Sequence, residues 1–176
     1  LKNLNQYLNF ASSSLNVDLI YLVNAAGDAI AASNSDTPLN VVGINIAERT
    51  MFKLNKNGQR GMQYAMGKVT KIPGLFFSAP IFIDGKFFLA VVAKSDLPSL
   101  SFLIKQMDAF VSDDNGVVIL ARNKQLEMNS LPDGAISNLS EQEKFALYQR
   151  NDIPRLKIEP WDDPRLSSLV RIQDGK

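Results

Sequence analysis

The sequence contains no cysteine and no histidine in its 176 residues. The lack of cysteine excludes disulfides, thiolate metal ligands and cysteine nucleophiles. The lack of both residues excludes Ser-His-Asp and Cys-His catalytic arrangements and the usual zinc sites, which leaves acid–base chemistry to carboxylates, Lys or Tyr. We therefore predict a non-catalytic chain with no metal site and no cofactor.

A strong net charge and a long apolar run are also missing. The 19 Lys and Arg residues balance 18 Asp and Glu residues to a formal net charge of +1, so no global field indicates a nucleic-acid partner. No apolar run reaches the roughly 18 residues that a transmembrane helix needs, and no signal peptide opens the chain. Because the chain begins at Leu1 and not at Met, we interpret it as a segment of a longer protein.

The most informative stretch that is present runs from Leu75 to Asp96. Its two apolar arms are joined by Asp84-Gly85, a pair that supplies the positive φ angles of a tight turn, so the stretch is predicted to form an antiparallel hairpin at the centre of a sheet. Ser78 and Lys94 are polar positions in these apolar arms and need partners there. A small acidic ligand is one such partner.

Two segments of the chain resemble each other. Residues Ile20–Asn34 align without gaps on Ala109–Asn123, with Gly27 on Gly116 at an offset of 89 residues. Each copy has the pattern of a strand, a short Asn/Asp-rich turn with Gly, and a second strand. The repeat indicates two related modules in tandem.

A locally basic segment leads into the central hairpin, with six Lys or Arg residues and no acidic residue between Arg49 and Lys71. Most of these side chains are interpreted as a solvated face. Arg49 differs because it lies near the start of a helix predicted over Ala47–Asn57, where a cation is electrostatically disfavoured and an anion is favoured.

The remaining pattern completes an α+β chain. Leu4, Leu8 and Ala11 lie on one stripe of a helix predicted from Leu1 to Leu15. Ser140 with Glu143 has the form of a capping box that opens a helix through Tyr148. Trp161 is interpreted as a filler of a small core. The other predicted elements are a strand at Gly61–Val69, a helix that Asp96-Leu97-Pro98 starts and that runs to about Gln106, and strands at Arg155–Ile158 and Ser167–Ile172.

The motifs YLVNAAGDAIAASN, GINIAERTMF, QYAMG and GLFFSAPIFIDGKFFLAVVAKSDL resemble, in order and spacing, the double Cache family of bacterial extracytoplasmic sensor domains. Within that family the likeness is greatest to the four-carbon dicarboxylate sensor kinases. The resemblance implies a long N-terminal helix (residues 1–19) that continues from a membrane anchor, a membrane-distal ligand-binding PAS-like module (20–106) and a smaller membrane-proximal PAS-like module (107–176). Each module is then an antiparallel sheet flanked by helices.

The resemblance also implies a ligand site in the distal module, although Met51 stands where the family commonly has an aromatic residue. The implied ligand-binding residues are Arg49, Phe52, Tyr64, Gly67, Phe76, Ser78 and Lys94. Amine-recognising relatives carry an aspartate at the position of Lys94. An ammonium there selects an anion, because an unpaired buried charge is costly, so the expected ligand is a small acidic metabolite, an organic acid. The alternative for Lys94 is a strand-end lysine that reaches solvent, and the alternative for Tyr64 is core packing.

These features together predict the periplasmic or extracellular sensing region of a bacterial inner-membrane receptor, a histidine kinase or a diguanylate cyclase. A homodimer through the N-terminal helix is an expected partner arrangement. Three alternatives stay open: a chemoreceptor domain for amino acids or other small molecules, a ligand-free structural spacer, and an enzyme that uses Lys94 with Tyr64.

Overall fold

The computed structural model describes residues 2–104, 109–160, 165 and 170–172. The chain divides into two compact units, residues 1–100 and 101–176, and each is described by itself. Trp161 and part of the strand predicted at Ser167–Ile172 lie outside the described residues. The module boundaries and the membrane-distal and membrane-proximal assignments stay predictions.

The first unit consists of one five-stranded antiparallel sheet with helices against it, in the strand order β2-β1-β5-β4-β3. The central pair, β4 and β5, is the hairpin predicted around Asp84-Gly85, and both turn residues have positive φ, 49° and 73°. The elements are α1 (Lys2–Leu15), β1 (Leu19–Asn24), β2 (Ala29–Ala32), α2 (Thr50–Lys56), β3 (Gly61–Met66), β4 (Pro73–Ile83), β5 (Lys86–Asp96) and α3 (Leu97–Leu100).

Different segments of the chain pack against the two faces of this sheet. The helix α1 packs Leu8 against Ile20 and Leu22 on one face, in agreement with the predicted apolar stripe. On the other face, Tyr21 of β1 pairs with Val92 of β5, and Val92 pairs with Ser78 of β4. Because facing residues, and residues two apart, share a side of a sheet, we define this second side as the site face.

Helix α2 covers the site face. The backbone N–H of Met51 donates to Oε1 of Gln63 at 3.4 Å, and the hydroxyl of Ser78 donates to the carbonyl oxygen of Met51 at 3.4 Å. The helix begins later than predicted, because Arg49 is extended (φ −66°, ψ 133°) and its N–H closes a turn on the carbonyl of Ile46. Arg49 is therefore the N-cap residue, and it gives no side-chain cap.

The carboxylate of Asp18 connects the start of β1 to the end of β5. Oδ2 of Asp18, just before β1, accepts from the backbone N–H of Asp96 at 2.9 Å, and Oδ1 accepts from the hydroxyl of Ser99 in α3 at 3.1 Å. The N–H of Asp18 in turn donates to the carbonyl of Lys94 at 3.0 Å. We call this arrangement the Asp18 clasp.

The second unit is smaller and has two separate two-stranded antiparallel sheets. Its core includes Val118, Ala121 and Leu156. The helix predicted after Ser140 is confirmed with its capping box. The elements are short 3-10 turns at Ser101–Ile104, Lys124–Leu126 and Ala135–Asn138, the strands β6 (Phe110–Ser112), β7 (Val118–Ala121), β8 (Ile158–Pro160) and β9 (Val170–Ile172), and α4 (Glu141–Tyr148).

Three further predicted elements have different bounds in the structure. The strand expected at Gly61–Val69 ends at Met66. The prediction of a strand at Arg155–Ile158 is wrong. The strand occupies Ile158–Pro160, and Arg155 forms only an isolated bridge with Ser130. Pro154 precedes that bridge and has no N–H to extend a ladder. The helix expected to reach Gln106 is α-helical only over Leu97–Leu100 and continues as the 3-10 turn to Ile104, after which residues 105–108 lie outside the described residues.

The repeated hairpins have the same hydrogen bonds. Oδ1 of Asn24 accepts from the N–H groups of Ala26 and Asp28, both at 2.9 Å. At the offset of 89 residues, Oδ1 of Asp113 accepts from the N–H groups of Asn115 and Val117 at 3.0 and 2.9 Å. The strand pairing shifts at the matching place in both hairpins, between Leu22 and Val23 and between Val111 and Ser112. The repeat seen in the sequence is therefore present in the backbone.

Candidate functional site

Arg49 is a buried cation that lacks part of its hydrogen bonding. Its side chain is only 7% exposed, its Nη2 donates to the carbonyl of Met66 at 2.9 Å, and its guanidinium carbon lies 5.3 Å from the centre of the Phe76 ring. Its Nη1 is buried and has no hydrogen-bond partner among the residues that the structure describes. Burial lowers the pKa of Arg49 from its usual value. A buried donor without a partner is unfavourable, so this nitrogen is suited to bind an acceptor.

The carboxylate nearest to Arg49 in sequence does not neutralise it fully. Oε1 of Glu48 lies 3.8 Å from Nε of Arg49 but 2.7 Å from Nζ of Lys68, and its side chain is 54% exposed. Burial raises the pKa of Glu48, but the hydrogen bond from Lys68 and the nearby charges outweigh it and hold the pKa below its usual value. Glu48 is therefore an anion that interacts mainly with Lys68.

Lys94 is the second buried cation, with only 2% of its surface exposed. This burial excludes the alternative in which the side chain reaches solvent. Its Nζ forms an ion pair with Oδ1 of Asp96 and lies 3.3 Å from Oγ1 of Thr70. Neither partner was predicted from the sequence, although Asp96 lies two residues along the same strand and so shares the side of the sheet with Lys94.

The ring of Phe76 lies close to both buried cations, Arg49 and Lys94. Its ring centre is 5.3 Å from the Arg49 guanidinium carbon and 5.7 Å from Nζ of Lys94, distances at which an aromatic face attracts a cation. The strand register pairs Phe76 directly with Lys94. Ser78, two residues along β4, is 5% exposed, and its hydroxyl makes long contacts of 3.4 and 3.5 Å with the carbonyls of Met51 and Gly61.

Two glycines leave room for the Lys94 side chain. A Cβ atom on Gly74 would lie 2.8 Å from Cε of Lys94, and one on Gly67 would lie 2.2 Å from Oγ1 of Thr70 and 3.4 Å from Nζ of Lys94. Contacts of 2.2 and 2.8 Å are shorter than a packed side chain tolerates. The predicted site position Gly67 therefore allows the close approach of the lysine and Thr70.

The other two predicted site residues are placed differently. Phe52 is buried, and its ring packs against that of Phe87 with centres 5.9 Å apart. Tyr64 pairs with Leu75 in the strand register, one residue out of phase with Phe76. Strand alternation thus assigns the buried Tyr64 side chain to the side of the sheet opposite the site face. The structure brings Arg49, Gly67, Phe76 and Lys94 together, with Ser78 on the same face.

Tyr21 is a site-face residue that the sequence analysis did not select. It is 1% exposed, and burial raises the pKa of its hydroxyl above the usual value, while the nearby charge of Arg49 opposes that rise. Tyr21 lies in the first copy of the repeat, Ile20–Asn34, but the repeat alone gives no information on which side chains are its neighbours in the fold. In the described part of the chain, no group of three or more His, Cys, Asp or Glu side chains is placed to hold a metal ion.

The chain is similar to one characterised sensor protein over most of its length. It is 30% identical over 122 residues to the C4-dicarboxylate transport sensor protein DctB of Rhizobium meliloti, and the match covers 68% of this chain and 20% of DctB. The chain thus spans about a fifth of the length of this relative. No protein-family model matches the sequence.

Solved structures share the fold. The sensor domain of the V. cholerae histidine kinase DctB superimposes with a TM-score of 0.73 at 22% identity, over 88% of this chain and 61% of that one. The periplasmic domain of RsbU from Chlamydia trachomatis gives 0.64 at 18% identity, over 98% and 66%. The sensory domain of the Campylobacter jejuni chemoreceptor Tlp3 with isoleucine bound gives 0.56 at 19% identity, over 71% and 52%.

These similarities confirm the predicted α+β architecture and the resemblance found in the sequence. The sequence similarity to DctB and the shared fold support the resemblance to Cache-type sensor domains, and the solved sensor domains with this fold include those of a histidine kinase and a chemoreceptor. Within that class it is similar to the sensor domain of DctB. Among the described residues, no helix is long and apolar enough to cross a membrane.

Proposed function

We propose that this chain is the ligand-sensing region of a bacterial inner-membrane receptor and that its first unit binds a small carboxylate on the site face. The supporting observation is the buried Nη1 of Arg49, which has no hydrogen-bond partner in the described part of the chain. A carboxylate oxygen supplies the missing acceptor and compensates the charge, and a guanidinium binds a carboxylate with paired, directional hydrogen bonds. Arg49 is thus the primary anchor of the ligand.

The surroundings of Arg49 fit the same ligand. Phe76 supplies an apolar wall beside both cations, and the hydroxyl of Ser78 has only long contacts within the protein. Such a combination of apolar walls with a few polar groups is typical of small-molecule sites. Gly67 contributes space, Phe52 in the first turn of α2 packs against Phe87, and Lys94 provides a second cation.

A thermal-shift screen of organic acids and amino acids tests this function. A ligand present at about 100 times its Kd stabilises the folded state by about 2.7 kcal/mol, which corresponds to roughly 5–10 °C for a chain of this size. We expect at least one carboxylic acid to give such a shift. Its methyl ester or amide should give none.

The matched variants are Arg49→Met, which removes the buried guanidinium, and Arg60→Met, which removes an exposed one next to the same sheet. Arg49→Met should abolish the shift, and Arg60→Met should keep it. If only neutral or cationic compounds stabilise the protein, or if both variants respond like the parent, the carboxylate proposal is wrong. If no compound binds, the structural-spacer alternative is supported instead.

Signal output in this proposal is a population shift: the bound acid favours one arrangement of the first unit, and the rest of the receptor responds to it. A kinase or a diguanylate cyclase is the proposed output.

Helix α1 exposes Tyr7 and Phe10 at 67% and 70%, an apolar surface that supports a homodimer through this helix. Sedimentation of the parent chain against Phe10→Lys tests it, since a dimer formed elsewhere would be unaffected.

A further inference from the structure

The two buried cations of the site face differ in their counter-ions. Within residues 2–104 and the other described ranges, a buried nitrogen of Arg49 has no hydrogen-bond partner, and the nearest carboxylate, that of Glu48, pairs mainly with Lys68. Lys94 has a carboxylate of its own, because Asp96 pairs with its Nζ. The positive charge that is available to a ligand is therefore concentrated at Arg49.

Asp96 is fixed in this position by the backbone as well as by the ion pair. Its N–H donates to Asp18 in the Asp18 clasp, and its Cα pairs with Gly74, whose missing side chain makes room for the lysine stem. Asp96 is 18% exposed, so it is largely enclosed beside the ammonium. A carboxylate held this way is a fixed negative charge at the Lys94 end of the site.

We propose that Asp96 is a specificity-determining residue that limits how much negative charge the ligand carries at its Lys94 end. This inference rests on the proposed carboxylate function and deepens it. The first carboxylate of a ligand binds Arg49 without competition. A second carboxylate near Lys94 meets an ammonium that Asp96 already neutralises, and it is repelled by Asp96 itself, because like charges in an enclosed site interact strongly.

Thr70 provides a second acceptor for the ammonium of Lys94, and this acceptor remains when Asp96 is replaced. Its Oγ1 lies 3.3 Å from Nζ of Lys94, and the Phe76 ring lies 5.7 Å from the same atom. In Asp96→Asn the amide oxygen is still able to accept from Nζ, while the negative charge is gone. The variant therefore exposes a full ammonium charge to the ligand without emptying the space around it.

Calorimetric titration of the 176-residue chain with butyrate and succinate tests the inference, since these acids have equal carbon number and differ by one carboxylate. In Asp96→Asn, the ratio of succinate affinity to butyrate affinity should rise by about tenfold or more over the parent. Asp96→Glu keeps the charge and should stay near the parental ratio. Asp84→Asn, at the exposed hairpin turn, is the matched control and should not change the ratio.

The outcomes separate this inference from the proposed function. If the acids bind but the ratio is unchanged or falls in Asp96→Asn, Asp96 does not set the charge specificity and the inference is overturned, while the carboxylate function stands. If neither acid nor any other carboxylate binds the parent or the variants, both are overturned. Far-ultraviolet circular dichroism of each variant without ligand verifies that it folds before the titrations are compared.

Discussion

The two units contain the same hairpin but treat their buried polar groups in opposite ways. In the second unit, the carboxylate of Asp113 accepts hydrogen bonds from Tyr148 and from two backbone N–H groups, and helix α4 starts with a complete capping box at Ser140. In the first unit, helix α2 starts at Arg49 without a side-chain cap, and a nitrogen of that arginine has no partner.

We interpret this difference as one between a structural network and the proposed binding site. Buried polar groups are normally satisfied within the protein, as they are around Asp113, since each unsatisfied group costs stability. An incomplete network beside an aromatic wall is what a ligand completes. The predictions below test whether the contrast between the units, and between the two cations of the first unit, has the expected energetic consequences.

The largest expected effect comes from removing the cation that has a counter-ion. Lys94→Met leaves the enclosed carboxylate of Asp96 unpaired and should lower the free energy of unfolding by about 3 kcal/mol, the low end for a broken buried pair because Asp96 is partly exposed. Arg49→Met removes a charge that has no full counter-ion. In the absence of ligand, this variant should change the free energy of unfolding by no more than about 1 kcal/mol.

Urea denaturation followed by circular dichroism measures both variants. The double variant Lys94→Met, Asp96→Leu removes both charges and should recover much of the stability that Lys94→Met loses. Equal losses in the two single variants would show that the two cations do not differ in the way described.

A smaller effect is expected in the second unit, where Tyr148→Phe removes the hydroxyl that donates to Asp113. The variant leaves a half-buried carboxylate with one hydrogen bond fewer and should lose about 2 kcal/mol of stability at neutral pH. The exposed Tyr7→Phe is the control and should be neutral. A neutral Tyr148→Phe would mean that the network around Asp113 is not the satisfied one that the comparison assumes.

The smallest effect is a change in pH dependence. Burial raises the pKa of Asp113, although hydrogen bonds from Tyr148 and from backbone N–H groups oppose this. The folded state therefore binds a proton before the unfolded state does, and this residue's contribution to stability improves as the pH falls through the raised pKa towards the ordinary aspartate value.

Asp113→Asn gives the second hairpin the residue that the first has at Asn24, and it removes this titration. The stability of the variant relative to the parent should therefore decrease when the pH is lowered from 7 to 4, as measured by urea denaturation at each pH. Asp114→Asn, an exposed neighbour, should show no such trend.

The sequence was sufficient where the structural signal is local. The turn at Asp84-Gly85, the capping box at Ser140 and the repeat around Gly27 and Gly116 each depend on residues a few positions apart, and all three are confirmed. Local chemistry specifies such features without knowledge of the tertiary fold.

Features that depend on which strands pair could not be obtained in this way. The alternation of β3 is visible in the sequence, but which side of the sheet Tyr64 occupies depends on its pairing with Leu75, and a single sequence does not give that register. The approach of Thr70 to Lys94 depends on a loop that folds back over Gly67. Asp96 could have been found, because it lies two residues from Lys94 on a predicted strand.

The hydrogen bonds of the Asp18 clasp connect the backbone of Lys94 in β5 to α3, the helix that follows it. One carboxylate receives hydrogen bonds from the strand end at Asp96 and from Ser99 in α3, and its own N–H is bonded to the carbonyl of Lys94. We therefore expect a displacement of the Lys94 backbone to move Asp18, and with it the start of α3, through these hydrogen bonds. Hydrogen exchange at the amides of Asp18 and Asp96, measured with and without a carboxylate that binds, tests this expectation.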